Sequence, residues 1–313
     1  MVGQRLTWWG RSGLVISAVI GVTFLGATGC GRLLGLGGGA ASPAITSPPA
    51  PATAARPSAT PAPALASSAA AGRNPAPSGN ATGAAPAGKG SGTGGPLLAG
   101  KVIGLDPGHN GGNFTHLAAI DKQIWNGREW EDCNTTGTAT DSGYTEALFN
   151  FSVATYLRAD LLADGARVVM TRTSDTGVGP CVNERAAIIN AAHANVGIAI
   201  HADGAGPGGR GFAILVPVAD GHNDKVISSS LAFAADVRAA MLAGTPMPVS
   251  NYDGVNGIQP RDNLAGLNLT QVPTVLIEVG NMRNGTDAAL ETSPAFQQEV
   301  AKALCAAMVA FLT

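Results

Sequence analysis

Apolar and polar positions follow two rhythms over residues 99–313, and the rhythm changes at turn signals. VIGL (102–105) is a continuous apolar run closed by Asp106, Pro107 and Gly108, the pattern of a buried strand that ends in a turn. From Tyr144 to Ala163 the apolar residues Leu148, Phe151, Ala154, Leu157 and Leu161 recur every three or four positions. That spacing predicts an amphipathic helix, and Asp164-Gly165 stops it. The same reading gives strands at 166–172, 196–200, 212–218 and 274–280, and helices at 183–195, 226–243 and 293–312. Strands that alternate with helices, several of them unbroken apolar runs, predict a single α/β domain with a largely parallel or mixed sheet. Residues 110–142 show neither rhythm and are expected to form one long loop, which in a compact domain needs a function or a staple.

Composition separates this region from what precedes it. Residues 1–30 carry Arg5 and Arg11, no acid, an apolar run from Leu14 to Leu25, and the ending Ala27-Thr28-Gly29-Cys30. This is the layout of a secretory leader, and the run is shorter than the ~20 residues of a comfortable membrane span. The ending resembles the lipobox of bacterial lipoproteins, with Ala27 where leucine is usual, so Cys30 is the expected lipid anchor. An uncleaved leader is the alternative. From about Gly37 to Gly95 the sequence is Ala, Pro, Gly, Ser and Thr with almost no large side chain, too little apolar surface to offset the entropy of ordering, so residues 31–98 read as a tether. Residues 99–313 hold all 21 acidic residues but only 13 of the 19 Lys and Arg, a balance of −8. A nucleic-acid binder would show the opposite excess. Cys133 and Cys181 lie in polar, loop-like stretches and Cys305 in an alanine-rich helix, so the economical assignment pairs the first two and leaves Cys305 buried and free. Three reduced thiols are the alternative.

The candidate chemistry sits at strand ends. His109 follows the first strand, His201 follows VGIAI, and Glu278 interrupts the apolar run TVLIEVG. In an open α/β sheet the carboxyl edge is where ligands bind, so the three would converge there. Glu146 opens the long helix, where it could join them or merely complement the helix dipole. Asn150, one turn on, shares its face and could hold the carboxylate in place. Two imidazoles and a carboxylate, with a fourth position left to water, form a catalytic zinc arrangement, and a further carboxylate completes the equipment for metal-assisted hydrolysis. His116, His193 and His222 lie in loop or helix-end contexts and are not expected to be ligands.

DPGHNG, GYTEALFN, VVMTRTSDT followed by NERAAIIN, AIHADG and VPTVLIEVGN, in that order and spacing, resemble the zinc-dependent N-acetylmuramoyl-L-alanine amidases of bacterial cell walls. The similarity spans residues 99–313 and is nearest to the stand-alone amidases of actinobacteria. It implies a twisted mixed sheet with helices on both faces, one zinc ion held by His109, Glu146 and His201, and Glu278 as the catalytic carboxylate. It further implies a peptidoglycan substrate; with the leader and Cys30, the expectation is a monomeric, exported protein held at the outer face of the cytoplasmic membrane. Arg261 and Asn263 would then contact the stem peptide's carboxylates, unless the arginine only stabilises a turn. Asp203 and Asn281 depart from the family, which often has asparagine and phenylalanine there. A zinc peptidase acting elsewhere on the stem peptide and a non-catalytic wall-binding lipoprotein stay open as rivals.

Overall fold

The computed structural model describes residues 96–313. The expected leader, the expected anchor Cys30 and nearly all of the expected tether lie outside the described residues. In chain order the elements are β1 (Val102–Pro107), α1 (Leu117–Ile120), β2 (Gln123–Trp125), β3 (Trp130–Asp132), α2 (Glu146–Ala163), β4 (Arg167–Met170) and α3 (Val182–Ala191). There follow β5 (Val196–Asp203), β6 (Ala213–Pro217), α4 (Ile227–Gly244), β7 (Ile258–Arg261), α5 (Ala265–Asn268), β8 (Thr274–Asn281), α6 (Gly285–Glu291) and α7 (Pro294–Leu312).

Six strands form one sheet in the order β4-β1-β5-β8-β6-β7. The first four are parallel, β8 pairs antiparallel with β6, and β6 pairs parallel with β7, so the sheet is mixed. Period two along the strands divides the side chains between its faces. Ile103, Leu105, Ile198, Ile200, Val275, Ile277, Ile214 and Val216 pack into the main core beneath α2, α4 and α7. The opposite face is thinner, with Ala199, Leu215 and Leu276 meeting Leu267 of α5. Small residues let α3 lie close there. A Cβ built on Gly104 would stand 2.9 Å from Ile189 side-chain carbons. Helices α4 and α7 are apolar and long enough to cross a membrane by composition, yet Phe233, Val237, Met241, Val300, Leu304 and Met308 are buried in this core.

Two expectations change. Residues 110–142 are not one loop but contain a short helix and the antiparallel hairpin β2–β3, with Trp125 opposite Trp130. Its strands are three residues each, too short to show a period, and its turn is built by Asn126, whose Oδ1 accepts the N–H groups of Arg128 and Glu129 at 2.9 Å each. The staple is present: Cys133 and Cys181 form a disulfide. Cys305 is buried in α7 but is not free; it is disulfide-bonded. An alanine-rich helix hides a thiol from solvent without saying whether another sulfur reaches it.

Candidate metal centre

β5 lies between β1 and β8 and runs parallel to both, so the carboxyl ends of three strands come together. His201 is the register partner of Glu278, and Ile200 pairs with Pro107, two residues before His109. Helix α2 brings Glu146 over this edge from its first turn; Thr145 caps the helix through the Leu148 N–H. Glu146 Oε1 lies 3.1 Å from His109 Nε2 and 2.9 Å from His201 Nδ1. One nitrogen from each imidazole and one carboxylate oxygen all fall within 4.8 Å of one another. The rings stand edge to face, with centroids 4.8 Å apart.

The turn that carries His109 has little freedom. His109 has φ +58°, a left-handed conformation that costs a non-glycine residue about 1–2 kcal/mol. The preceding Gly108 has no substitute, since a Cβ there would lie 2.1 Å from the His201 ring. Two buried arginines that the sequence reading quoted but gave no role hold the turn by its carbonyls. Arg172 donates to Pro107 O at 2.7 Å, Gly108 O at 3.1 Å and Ala147 O at 2.7 Å. Arg185, 1% exposed, donates to Pro107 O at 2.9 Å, His109 O at 3.0 Å and Asp106 Oδ1 at 2.8 Å. Burial alone would raise the Asp106 carboxyl, but the Arg185 charge and the hydrogen bond from Thr171 hold it below its ordinary value. The available signal was their position inside apolar, periodic segments. A charge there is buried only if paired.

The two glutamates differ in environment. Burial opposes the charge on Glu146, but His109 and His201 overcome it and hold the carboxyl well below its ordinary range. Its second oxygen accepts the Thr138 N–H at 2.9 Å, and Asn150 Nδ2 reaches Oε1 at 3.4 Å and Gly108 O at 3.2 Å, as the spacing suggested. Burial would lower His109, but Glu146 raises it; His109 Nδ1 in turn contacts Thr135 O at 3.1 Å. Glu278 goes the other way. Burial pushes its carboxyl well above the usual range, and the charges of Glu146, Asp203 and Asp253 add to the rise against Arg261. Its Oε2 is buried without a hydrogen-bond partner. A cleft of about 320 Å³ is lined by His109, His201, Glu146, Glu278 and residues 135–138.

The donor set fits a divalent cation: two imidazole nitrogens and a carboxylate oxygen meet at one point, with His109 oriented from behind by the Thr135 carbonyl and Glu146 by the Thr138 N–H and Asn150. His116 and His222 lie elsewhere, contacting Gly112 O and Gln271. Arg261 and Asn263 bond each other at 2.9 Å at the end of β7, and Arg261 lies near enough to act on the charges of Glu278 and Asp253. Asn281 faces no open subsite. It is fully buried and braces the 206–209 turn by donating to Gly206 O and Gly209 O.

The family model for N-acetylmuramoyl-L-alanine amidase matches residues 103–310. N-acetylmuramoyl-L-alanine amidase Rv3717 of Mycobacterium tuberculosis is 41% identical over 216 residues, covering 69% of this chain and 88% of that protein. Among solved structures, the amidase Ami1 of Mycobacterium smegmatis is 41% identical with a TM-score of 0.65, covering 69% of this chain and 98% of its own. The apo form of Ami1 from Mycobacterium abscessus is 38% identical with a TM-score of 0.65, covering 69% and 100%. Through residues 103–310, this chain belongs to the N-acetylmuramoyl-L-alanine amidase family.

Proposed function

We propose that this protein is an exported peptidoglycan amidase that hydrolyses the bond between the lactyl group of N-acetylmuramic acid and the first L-alanine of the stem peptide. Family membership supports the reaction, and one observation carries the site assignment. His109, His201 and Glu146 converge at the edge where Glu278, in register with His201, presents a carboxyl pushed toward its protonated form.

His109, Glu146 and His201 would hold one zinc ion. When bound, zinc supplies a Lewis acid that polarises the amide carbonyl and brings the pKa of a water toward ~7. Glu278 takes the proton of the attacking water and delivers it to the leaving alanine amine, so one carboxyl is base and then acid. A carboxyl that prefers to be protonated in its pocket is a good donor for the second half of that exchange. Glu146 stays ionised throughout, its charge balanced by the partners opposite it. Asn150 keeps it aimed, and Arg172 and Arg185 keep the His109 turn from relaxing. Arg261, steered by Asn263, is placed to meet a carboxylate of the stem peptide.

The work is done in the cell wall by one copy of the chain, with residues 1–30 as leader and 31–98 as tether. The proposed anchor is a lipid on Cys30. Mass spectrometry of the mature amino-terminal peptide tests it: a lipid adduct on Cys30 is expected, and a processed protein with an unmodified Cys30 would overturn the anchor. Digestion of purified peptidoglycan tests the reaction. The expected products are intact glycan strands and free stem peptides with an L-alanine amino terminus; cleavage within the peptide would replace the amidase reading by that of a stem-peptide peptidase.

A further inference from the structure

The chain has four tryptophans, two of them at positions 8 and 9 in the leader. The other two, Trp125 and Trp130, face each other across β2–β3 and are 46% and 67% exposed. Their rings meet edge to face, with centroids 5.8 Å apart. A domain that spends its only large indoles on solvent gives up the burial that usually justifies them. The hairpin is not loose. Asn126 closes its turn, Arg128 donates to Val218 O at 3.1 Å and Ala219 O at 2.8 Å, and the Cys133–Cys181 disulfide pins its base.

Strand alternation puts Gln123 and Asp132, hydrogen-bonded to each other, on the same exposed face as the two indoles. Apolar faces beside an amide and a carboxylate are what a sugar polymer asks for, since its rings offer C–H faces and its edges offer hydroxyl and acetamido groups. The inner side and base of the hairpin lead to the metal centre. Glu131, Asp132, Asn134 and Thr135 line a cavity of about 170 Å³ together with His109 and His201. From Trp130 to Thr135 is at most ~16 Å of extended chain, a few sugar rings.

We propose that the exposed face of this hairpin, formed by Gln123, Trp125, Trp130 and Asp132, binds the N-acetylated amino-sugar glycan strand of peptidoglycan beside the bond being cut. This rests on the amidase reading and names the part of the substrate held outside the catalytic cleft. A membrane surface is the less fitting occupant. Asp121, Glu129, Glu131 and Asp132 outnumber Lys122 and Arg128 along the hairpin, and Arg128 is turned toward the carbonyls of Val218 and Ala219. Anionic lipid headgroups would be repelled.

The test compares the full-length wild type with W125A/W130A and with the conservative W125F/W130F. Chitohexaose, a peptide-free N-acetylglucosamine hexamer, is the binding probe, and phosphatidylglycerol vesicles are the control. The alanine variant should bind chitohexaose at least ten times more weakly, with the phenylalanine variant recovering most of the loss. The ratio of intact-peptidoglycan hydrolysis to muramoyl-dipeptide hydrolysis should fall at least tenfold in the alanine variant. Equal chitohexaose binding by wild type and alanine variant would overturn the proposal, as would a loss confined to vesicle binding. A wild type that binds chitohexaose but hydrolyses neither substrate would count against the amidase reading and leave the glycan surface standing.

Discussion

The carboxylates of Glu146 and Glu278 line one cleft, yet their surroundings drive them to opposite states. Glu146 is enclosed by donors: two imidazoles, the Thr138 N–H and the Asn150 amide. Glu278 is enclosed by acids, with an oxygen left without a partner. Residue type cannot distinguish them. The lesson is that a site assigns roles by what it places opposite each group: a carboxylate surrounded by donors holds charge, and one crowded by carboxylates handles protons.

The strongest way to break the comparison is to remove a member of the donor-rich half. His109→Ala or His201→Ala should abolish zinc binding and depress hydrolysis by more than the ~10² to 10⁴ expected for loss of a general base. Atomic absorption on the purified variants, beside peptidoglycan digestion, reads both effects. Retained stoichiometric zinc in either variant would contradict the ligand assignment.

Next comes the brace behind that half. Arg185→Met strands Asp106 without its ion pair and should cost about 3–5 kcal/mol, the usual penalty for an uncompensated buried charge. Asp106→Asn combined with Arg185→Met should cost less than the single change, because no charge is then left unpaired. Urea unfolding of the wild type, both single variants and the double variant measures this, and full additivity would mean that the pair is not coupled.

The disulfide should matter slightly less. Cys133→Ser with Cys181→Ser removes a link across 48 residues, worth up to about 4 kcal/mol in the chain-entropy model. Non-reducing melts of the two proteins compare them, and an unchanged midpoint would show the staple to be idle.

The last test is confined to one pH window and sharpens the acid-rich half from behind. Glu291 is fully buried against Gly280 of β8, both oxygens lack hydrogen-bond partners, and burial with the charge of Asp287 raises its carboxyl to about 8. The folded state therefore keeps a proton that the unfolded chain sheds near its ordinary value of 4.5. Stability should be full below that value, fall as pH rises through the window to about 8, and level off beyond. The drop is bounded at about 5 kcal/mol, since the window from 4.5 to about 8 spans roughly 3.5 pH units at about 1.4 kcal/mol each. Glu291→Gln should flatten the profile over that window, and chemical denaturation at a series of pH values would record it.

Much of the site was legible because its residues break a pattern. His109, His201 and Glu278 each interrupt or follow an apolar strand run, and Glu146 opens a periodic helix, so their placement followed once the strands were set parallel. The hairpin was not legible because three-residue strands carry no period and its order comes from Asn126, Arg128 and the disulfide. Arg172 and Arg185 were overlooked as actors because an arginine in a sequence looks like a surface residue until its partners are known. The left-handed turn at His109 has no sequence cue of its own, since Gly108 beside it serves the approach of His201 rather than the dihedral. The disulfide at Cys305 has no cue in its alanine-rich surroundings, since local composition does not encode which thiols are oxidised.

The central claim is the division of labour between the two glutamates, and one paired measurement tests it most directly: zinc content and turnover of Glu146→Gln and Glu278→Gln prepared side by side. Glu278→Gln keeps the side chain's shape but cannot carry the proton, so zinc should stay at wild-type stoichiometry while hydrolysis falls by about 10² to 10⁴. Glu146→Gln replaces the charged donor by a neutral one, so zinc and hydrolysis should fall together. Zinc lost from Glu278→Gln but kept by Glu146→Gln would contradict the account and exchange the two roles.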